Sequence, residues 1–448
     1  MARMIHRTVI VVAGFLMLAD VKWLSGAELE IVSPKDQATL AAESIHQIVW
    51  SKTNIAPETI LNLACSSDNG ISWKQIASVP IKQGSCLWNV PNTPTASCLL
   101  RLQAVGNQAS STINVSISKS RKVPSYTWKN ITMKAPFAVR DGAGALVYQN
   151  KLWLLGGWNP GDKKYFPRIC NNEVWKSSDG LHWNLIKQNT FIDKQFDPFK
   201  DWEGRHTAGY VVFQDKMWIV GGDVNQGHYQ NDVWNSSEGK NWHRLSPKDV
   251  PWAPRALHYT LAFKDKIWVI GGQTMPAFGP SKEVFYRDIW NSKDGIHWNK
   301  IEPKEPYWSA RGMIGGNVVF KDRMWILGGG TYDTPTTPTR NFYNDVWSSA
   351  DGVHWKQHTK AAPWYPRQYH DVAVFDGRMW VMEGYNRKGG NRNDVWYSDD
   401  GVNWYELPDT PWKPRHAASV FVFDNGLWMV TGNNFESDVW KLVRKDTN

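Results

Sequence analysis

The chain has 448 residues, among them 28 tryptophans, 35 glycines and 24 prolines, and carries a formal net charge of +9. That length fits two domains, and the absence of any Lys/Arg run argues against a nucleic-acid-binding tract. Its four cysteines, Cys65, Cys86, Cys98 and Cys170, are too few to be the framework of the fold.

In chain order, the basic start Met1 to Arg7 precedes an apolar run, Val9 to Ala19, and a small-x-small site at Ser25-Gly26-Ala27. This predicts a signal peptide over residues 1–27 and a secreted or periplasmic protein with no stable membrane anchor, the apolar run being too short to span a bilayer. Residues 28–118 alternate in short strands, such as Gln47-Ile48-Val49-Trp50 and Ile60-Leu61-Asn62-Leu63, with turns between them, which predicts a β-sandwich. Three cysteines fall within it, and Cys65 with Cys98 is the preferred pair. Residues 119–125 form a basic, proline-containing linker.

From residue 126 to 448 a pattern of about 50 residues recurs, the signature of propeller blades. Trp153, Trp218, Trp268, Trp325, Trp380 and Trp428 lie in a hydrophobic strand before a glycine pair or its equivalent. Trp175, Trp234, Trp290, Trp347, Trp396 and Trp440 follow an acid and Val or Ile. Trp183, Trp242, Trp298, Trp355 and Trp404 follow a tight Asp-Gly-type turn. The sixth member of this last set is Trp128, because Tyr126-Thr127-Trp128-Lys129-Asn130-Ile131 matches His182-Trp183-Asn184-Leu185-Ile186 and the last repeat has no such segment. The first strand of the domain is therefore expected to be the outer strand of the sixth blade, which removes an open edge.

Residues 28–118, through Ile31-Val32-Ser33-Pro34, Trp50, Ser66 to Trp73 and Trp88-Asn89-Val90-Pro91, resemble the immunoglobulin-like domains of secreted surface proteins. The repeats resemble kelch repeats of the galactose oxidase type, and the resemblance implies a six-bladed kelch β-propeller over residues 126–448. The Ser-x-Asp-Gly-x-x-Trp hairpin is similar to the Asp-box of sialidases and is read here as a turn device.

Two connections vary between repeats, as in residues 158–170, 273–287, 330–343 and 188–202, and strand alternation places them on one face. Variable loops on a rigid scaffold are where binding resides. Each first strand follows aromatic-x-x-Arg, giving Arg140, Arg205, Arg255, Arg311, Arg367 and Arg415. These are expected to ring the channel mouth and grip an acidic ligand by bidentate bonds, with tryptophans such as Trp158 to stack on sugars. A feature present in every blade also suits bracing between blades. Glu383 replaces the first glycine of its pair and is read either as the partner of Arg367 or Arg415 or as a general acid or base. His258 and His370 occupy one inner-strand position, as core histidines or ligand contacts, and Gly315-Gly316 reads as a bulge.

The all-β chain is accordingly expected to be a secreted binding module that holds a protein, peptide or glycan on its variable-loop face, with no metal or cofactor. The alternative is an enzyme resembling the kelch epimerase (mutarotase) of sialic acid. Tyr369-His370 resembles the copper ligands of galactose oxidase, but Cys170 is the one cysteine of the repeat region, which weakens that reading.

Overall fold

The computed structural model describes residues 27–120, 124–225, 227–245, 250–274, 282–312, 318–331 and 341–445. The expected signal segment up to residue 26 and the Gly315-Gly316 bulge lie outside the described residues.

The described chain is almost all β and begins with two packed sheets. One holds Glu28–Ser33, Ile45–Thr53 and Ser85–Asn89; the other holds Thr39–Ala41, Ser110–Ser118, Thr95–Ala104, Ile60–Ser66 and Lys74–Pro80. Side chains alternate across a strand, so Ile48 and Trp50 point inward with Leu61, Leu63, Trp88, Leu100 and Leu102. All four cysteines are buried free thiols, with Cys65 and Cys98 on adjacent strands of one sheet.

From Tyr126 onward the described residues make six four-stranded antiparallel sheets. Sheets one to five use consecutive segments of chain, within residues 144–187, 209–245, 259–301, 319–359 and 371–407. The sixth combines Ser419–Phe423, Gly426–Val430 and Val439–Arg444 with Tyr126–Thr132 as its outer strand, Trp128 standing opposite Leu442. Both ends of the repeat region are thereby held in one ladder.

The tryptophans explain how sheet packs on sheet. Trp153 donates its indole N–H to Tyr148 O at 2.9 Å, five residues back, and the equivalent bond recurs at Trp218, Trp268, Trp325, Trp380 and Trp428. These rings receive the turn glycine of the next sheet. A Cβ on Gly180 would stand 2.3 Å from Trp428, and one on Gly295 would stand 2.5 Å from Trp218. No residue but glycine fits so close an approach at positive φ. Trp380 has no such turn against it and is met by Tyr126, edge-on at 5.0 Å. The aromatic three residues before each arginine packs edge-on against the outer tryptophan of its own sheet, as Trp252 on Trp298 at 5.6 Å and Trp412 on Trp128 at 5.8 Å.

The backbone completes the circuit. The second residue of each glycine pair donates its N–H to the arginine carbonyl of the following sheet: Gly157 to Arg205, Gly222 to Arg255, Gly272 to Arg311, Gly329 to Arg367, Gly384 to Arg415, and finally Gly432 back to Arg140. Here φ runs from 100° at Gly329 to 127° at Gly432, a region closed to other residues, whereas the first position has φ near 60° and admits Glu383 and Thr431 at 52°.

The two-layered N-terminal unit docks on sheets four and five of this ring. Ile45 N–H donates to Trp404 O at 2.9 Å, Ala41 N–H to Asn403 Oδ1 at 2.7 Å, and Asn344 Nδ2 to Gln47 Oε1 at 3.0 Å. Ile45 packs into the hydrophobic core of those sheets.

Candidate ligand-binding site

The six arginines lie inside the walls, almost fully buried. Each guanidinium spans its own sheet. Arg415 donates to both oxygens of Asp438 at 2.8 and 2.6 Å and to Thr431 O at 2.7 Å. Arg255 binds Asp288 and Gly271 O, Arg311 binds Asp345 and Gly328 O, and Arg367 binds Asp394 and Glu383 O. Arg140 pairs with Glu173 and Arg205 with Asp232. The same carboxylates accept the indole N–H of the second tryptophan set, as Asp438 does from Trp440 at 2.7 Å. Where the sequence suggested a solvent-facing ring, the guanidinium groups are committed to strand ends.

The residue after each arginine takes up a constant position, and three of them, Asp141, His206 and His416, line the loop-side cavity. Bound in place by its neighbours, each residue after an arginine forms an antiparallel bridge with the residue after the glycine pair: Asp141 with Trp158, His206 with Asp223, Ala256 with Gln273, Gly312 with Gly330, and Gln368 with Tyr385. In the sixth sheet Asn433 N–H donates to His416 O at 2.8 Å. One uniform bracket thus presents two freely variable positions per sheet.

One residue further on the chain turns left-handed, with φ of 59° at Gly142, 52° at Thr207, 57° at Leu257, 56° at Tyr369 and 52° at Ala417. These residues bond to one another around the axis: Ala417 N–H to Tyr369 O, Gly142 N–H to Ala417 O, Thr207 N–H to Gly142 O, Leu257 N–H to Thr207 O. Leu257, Tyr369 and Ala417 pack together there. The plug separates a channel of about 440 Å³, lined by the inner strands, from a cavity of about 560 Å³ on the loop side.

That cavity is lined by residues of sheets five, six, one and two: Tyr369, Tyr385, His416, Asn433, Asp141, Trp158, His206 and Asp223, with Asn225 at the end of strand Lys216–Asn225 and Cys170, Lys163 and Phe166 from the connection after Trp158. Asn159 caps the short 3-10 helix Pro160–Tyr165 that carries Lys163, accepting from Gly161 N–H at 2.9 Å. Arg168 ties this loop to the 188–202 connection by donating to Phe191 O and Asp193 O.

His206 sits between two buried carboxylates, Nδ1 3.1 Å from Asp223 Oδ1 and Nε2 3.4 Å from Asp141 Oδ1. Burial opposes its charge, but Asp223 and Asp141 outweigh burial and lift its pKa to about 10, so the ring is an imidazolium at neutral pH. His416 differs. Burial lowers its pKa to about 4, and the neutral ring lies against Tyr369 at 5.1 Å and Tyr385 at 5.7 Å. Cys170 is a buried thiol, and burial raises its pKa and makes it unreactive.

Of the residues singled out from sequence, Tyr369 and Trp158 line this cavity. His370 and His258 do not; they are buried, Nε2 lying 2.6 Å from Leu327 O and 3.0 Å from Val220 O, and burial lowers both pKa values to about 3. Glu383 is fully buried, and its carboxyl group meets Asp371 rather than an arginine side chain. Burial pushes both acids up, and the charge of Asp371 pushes Glu383 further, so the pair holds a proton at neutral pH. Asp141, His206, Asp223, Tyr385, His416 and Asn433 were missed. Their signal was present, because the residue after the constant arginine reads Asp, His, Ala, Gly, Gln and His along the repeats.

Fold and site define a propeller-like, almost all-β protein with an aromatic-walled polar cavity at one end of its central channel. No protein-family model matches the chain, and no curated protein matches it. Among solved structures the chain is similar to YjhT, with 16% identity, 53% of this chain and 73% of that one covered, and a TM-score of 0.40. It is also similar to Zg3597, a family 117 glycoside hydrolase of the marine bacterium Zobellia galactanivorans, with 12% identity, 72% and 92% covered, and a TM-score of 0.36. A third is the GH32 beta-fructofuranosidase BmSUC1 of Bombyx mori, with 10% identity, 67% and 65% covered, and a TM-score of 0.35.

Proposed function

We propose that the protein is a secreted recognition module: a six-bladed kelch-type propeller behind an immunoglobulin-like sandwich, holding a small polar ligand or the tip of a glycan or peptide in the loop-side cavity. The observation that carries this reading is the cavity itself. Its volume of about 560 Å³ falls in the usual range for ligand sites, its walls are aromatic, and its polar groups converge from four sheets on a plugged floor. The arginines act as braces in this reading, and Glu383 has no catalytic role, since its carboxyl is sealed between strands.

Probing glycan and peptide arrays with the full chain tests the proposal. Ligands should be retained by wild type and lost from Tyr385→Ala and Trp158→Ala variants that keep the wild-type melting temperature. Retention by both variants would move recognition off the cavity.

A further inference from the structure

Resting on the cavity reading, we infer that the ligand group seated there is an uncharged, hydroxyl-bearing ring, a neutral sugar unit rather than an acidic or amino one.

The first ground is charge. The cavity holds two carboxylates, Asp141 and Asp223, one imidazolium, His206, and one ammonium, Lys163, at its rim. These balance, and they are already engaged with one another or with the wall. His206 lies between both acids, Asp223 also accepts from Thr207 Oγ1 at 2.9 Å, and Asp141 accepts from Asn433 Nδ2 at 2.6 Å. The nearby arginines, Arg140, Arg205 and Arg415, are each paired with an acid of their own sheet. A ligand carboxylate would meet the two aspartates with no uncommitted guanidinium to offset its desolvation. A ligand ammonium would meet the positive charges of His206 and Lys163, while the two aspartates are already held by His206, Thr207 and Asn433.

The second ground is an unpaired acceptor. Asn225 is buried and lines the cavity; its Nδ2 donates to Pro167 O at 2.8 Å, which orients the amide, and its Oδ1 has no partner among the described residues. A buried acceptor left alone is costly, and only a donor relieves it. A carboxylate has none to give. A hydroxyl donates to Asn225 and, being an acceptor as well, takes a bond from a tyrosine or asparagine beside it.

The third ground is shape. Trp158, Phe166, Tyr369 and Tyr385 line the cavity beside its polar groups, Trp158 packed edge-on with Phe435 at 5.7 Å and Tyr385 with His416 at 5.7 Å. Such walls take the C–H faces of a flat, hydroxylated ring whose edge reaches the acceptors below.

Calorimetric titration of the full chain with galactose, galacturonic acid and galactosamine, and with the corresponding glucose series, separates the alternatives. Within at least one series the neutral sugar should bind about tenfold or more tighter than its acid and its amine. Asn225→Ala should lose about tenfold in affinity for that sugar, the worth of one hydrogen bond to a buried acceptor, in a variant that still unfolds cooperatively. Trp158→Ala should lose more. Equal or tighter binding of the acid or the amine would overturn the inference, as would wild-type affinity in a folded Asn225→Ala. If no sugar of either series binds while an array ligand is still lost in Tyr385→Ala, the sugar inference fails and the cavity stands. If the array ligand survives in Tyr385→Ala and Trp158→Ala, the cavity reading itself fails.

Discussion

Among the described residues Arg415 and Asp438 form the most deeply buried ion pair, with 0% and 1% side-chain exposure. Removing one partner of such a pair strands the other charge, so Arg415→Ala should cost about 3–5 kcal/mol in denaturant unfolding. Arg415→Lys should recover little, because one ammonium cannot serve two carboxylate oxygens and the Thr431 carbonyl together. A loss below about 1 kcal/mol would be the size of an ordinary surface change and would remove the bracing role. Glu383 behaves in the opposite way. Its folded pKa is raised by burial and by Asp371, so its contribution to stability is fully present below the unfolded carboxylate value of about 4 and is lost as pH rises toward the folded value. Glu383→Gln removes that penalty, because the amide carries no titrating proton to lose. The variant should melt higher than wild type at pH 7 to 8, a difference that shrinks as pH falls toward about 4; an equal difference at both ends would mean that the pair does not titrate in this window.

The turn between the third and outer strands is built by side chains as much as by glycine. Ser292 Oγ accepts Gly295 N–H at 2.8 Å, Asp294 Oδ1 accepts Ile296 and His297 N–H at 2.9 and 2.8 Å, and Trp298 returns its indole N–H to Gly295 O. The carboxylate is held ready for those donors: burial opposes ionisation, but His297 and the two amides prevail and bring Asp294 well below the usual carboxylate range. Gly295 also faces Trp218 of the preceding sheet, so Gly295→Ala adds a clash at 2.5 Å to the strain of φ 75°. It should lose about 1–3 kcal/mol beyond the conformational penalty. Gly377→Ala supplies the control, with φ 67° and no atom within 4 Å of the added Cβ, and should show the conformational penalty alone. Equal losses in unfolding free energy at the two sites would mean that the indole moves aside at no cost.

At the scale of the molecule, the N-terminal unit is fastened to sheets four and five through a buried amide. Asn403 Oδ1 accepts from Ala41 N–H at 2.7 Å and lies 3.2 Å from His46 Nε2. Asn403→Ala leaves that buried N–H without its acceptor, a cost of about 1–3 kcal/mol that falls on the junction. Calorimetry should then show two transitions where wild type gives one, with faster proteolysis between residues 119 and 125. A single transition at the wild-type temperature would show that docking does not depend on this bond.

The repeat lattice was legible in the sequence because its parts are local and redundant. The Asp-Gly turn, the strand tryptophan, the glycine pair and the acid before the next tryptophan each report a short-range requirement, and each recurs from sheet to sheet. Even the displaced outer strand could be read, since Trp128 lies in a segment matching its five counterparts. The arginines were legible as a repeated feature but not in their direction. Whether a guanidinium turns outward to a ligand or inward to Asp438 depends on a carboxylate 23 residues away in sequence, brought within 2.6 Å only when the sheet forms. The same holds for Glu383, whose partner Asp371 stands on the neighbouring inner strand. The cavity was decided by tertiary assembly: Tyr369 meets His416 of the following sheet, and Asp141 meets Asn433, 292 residues apart, because the sixth sheet returns to the first. Local chemistry determined what each sheet is; the ring determined which side chains, one residue beyond each arginine, line the loop-side cavity.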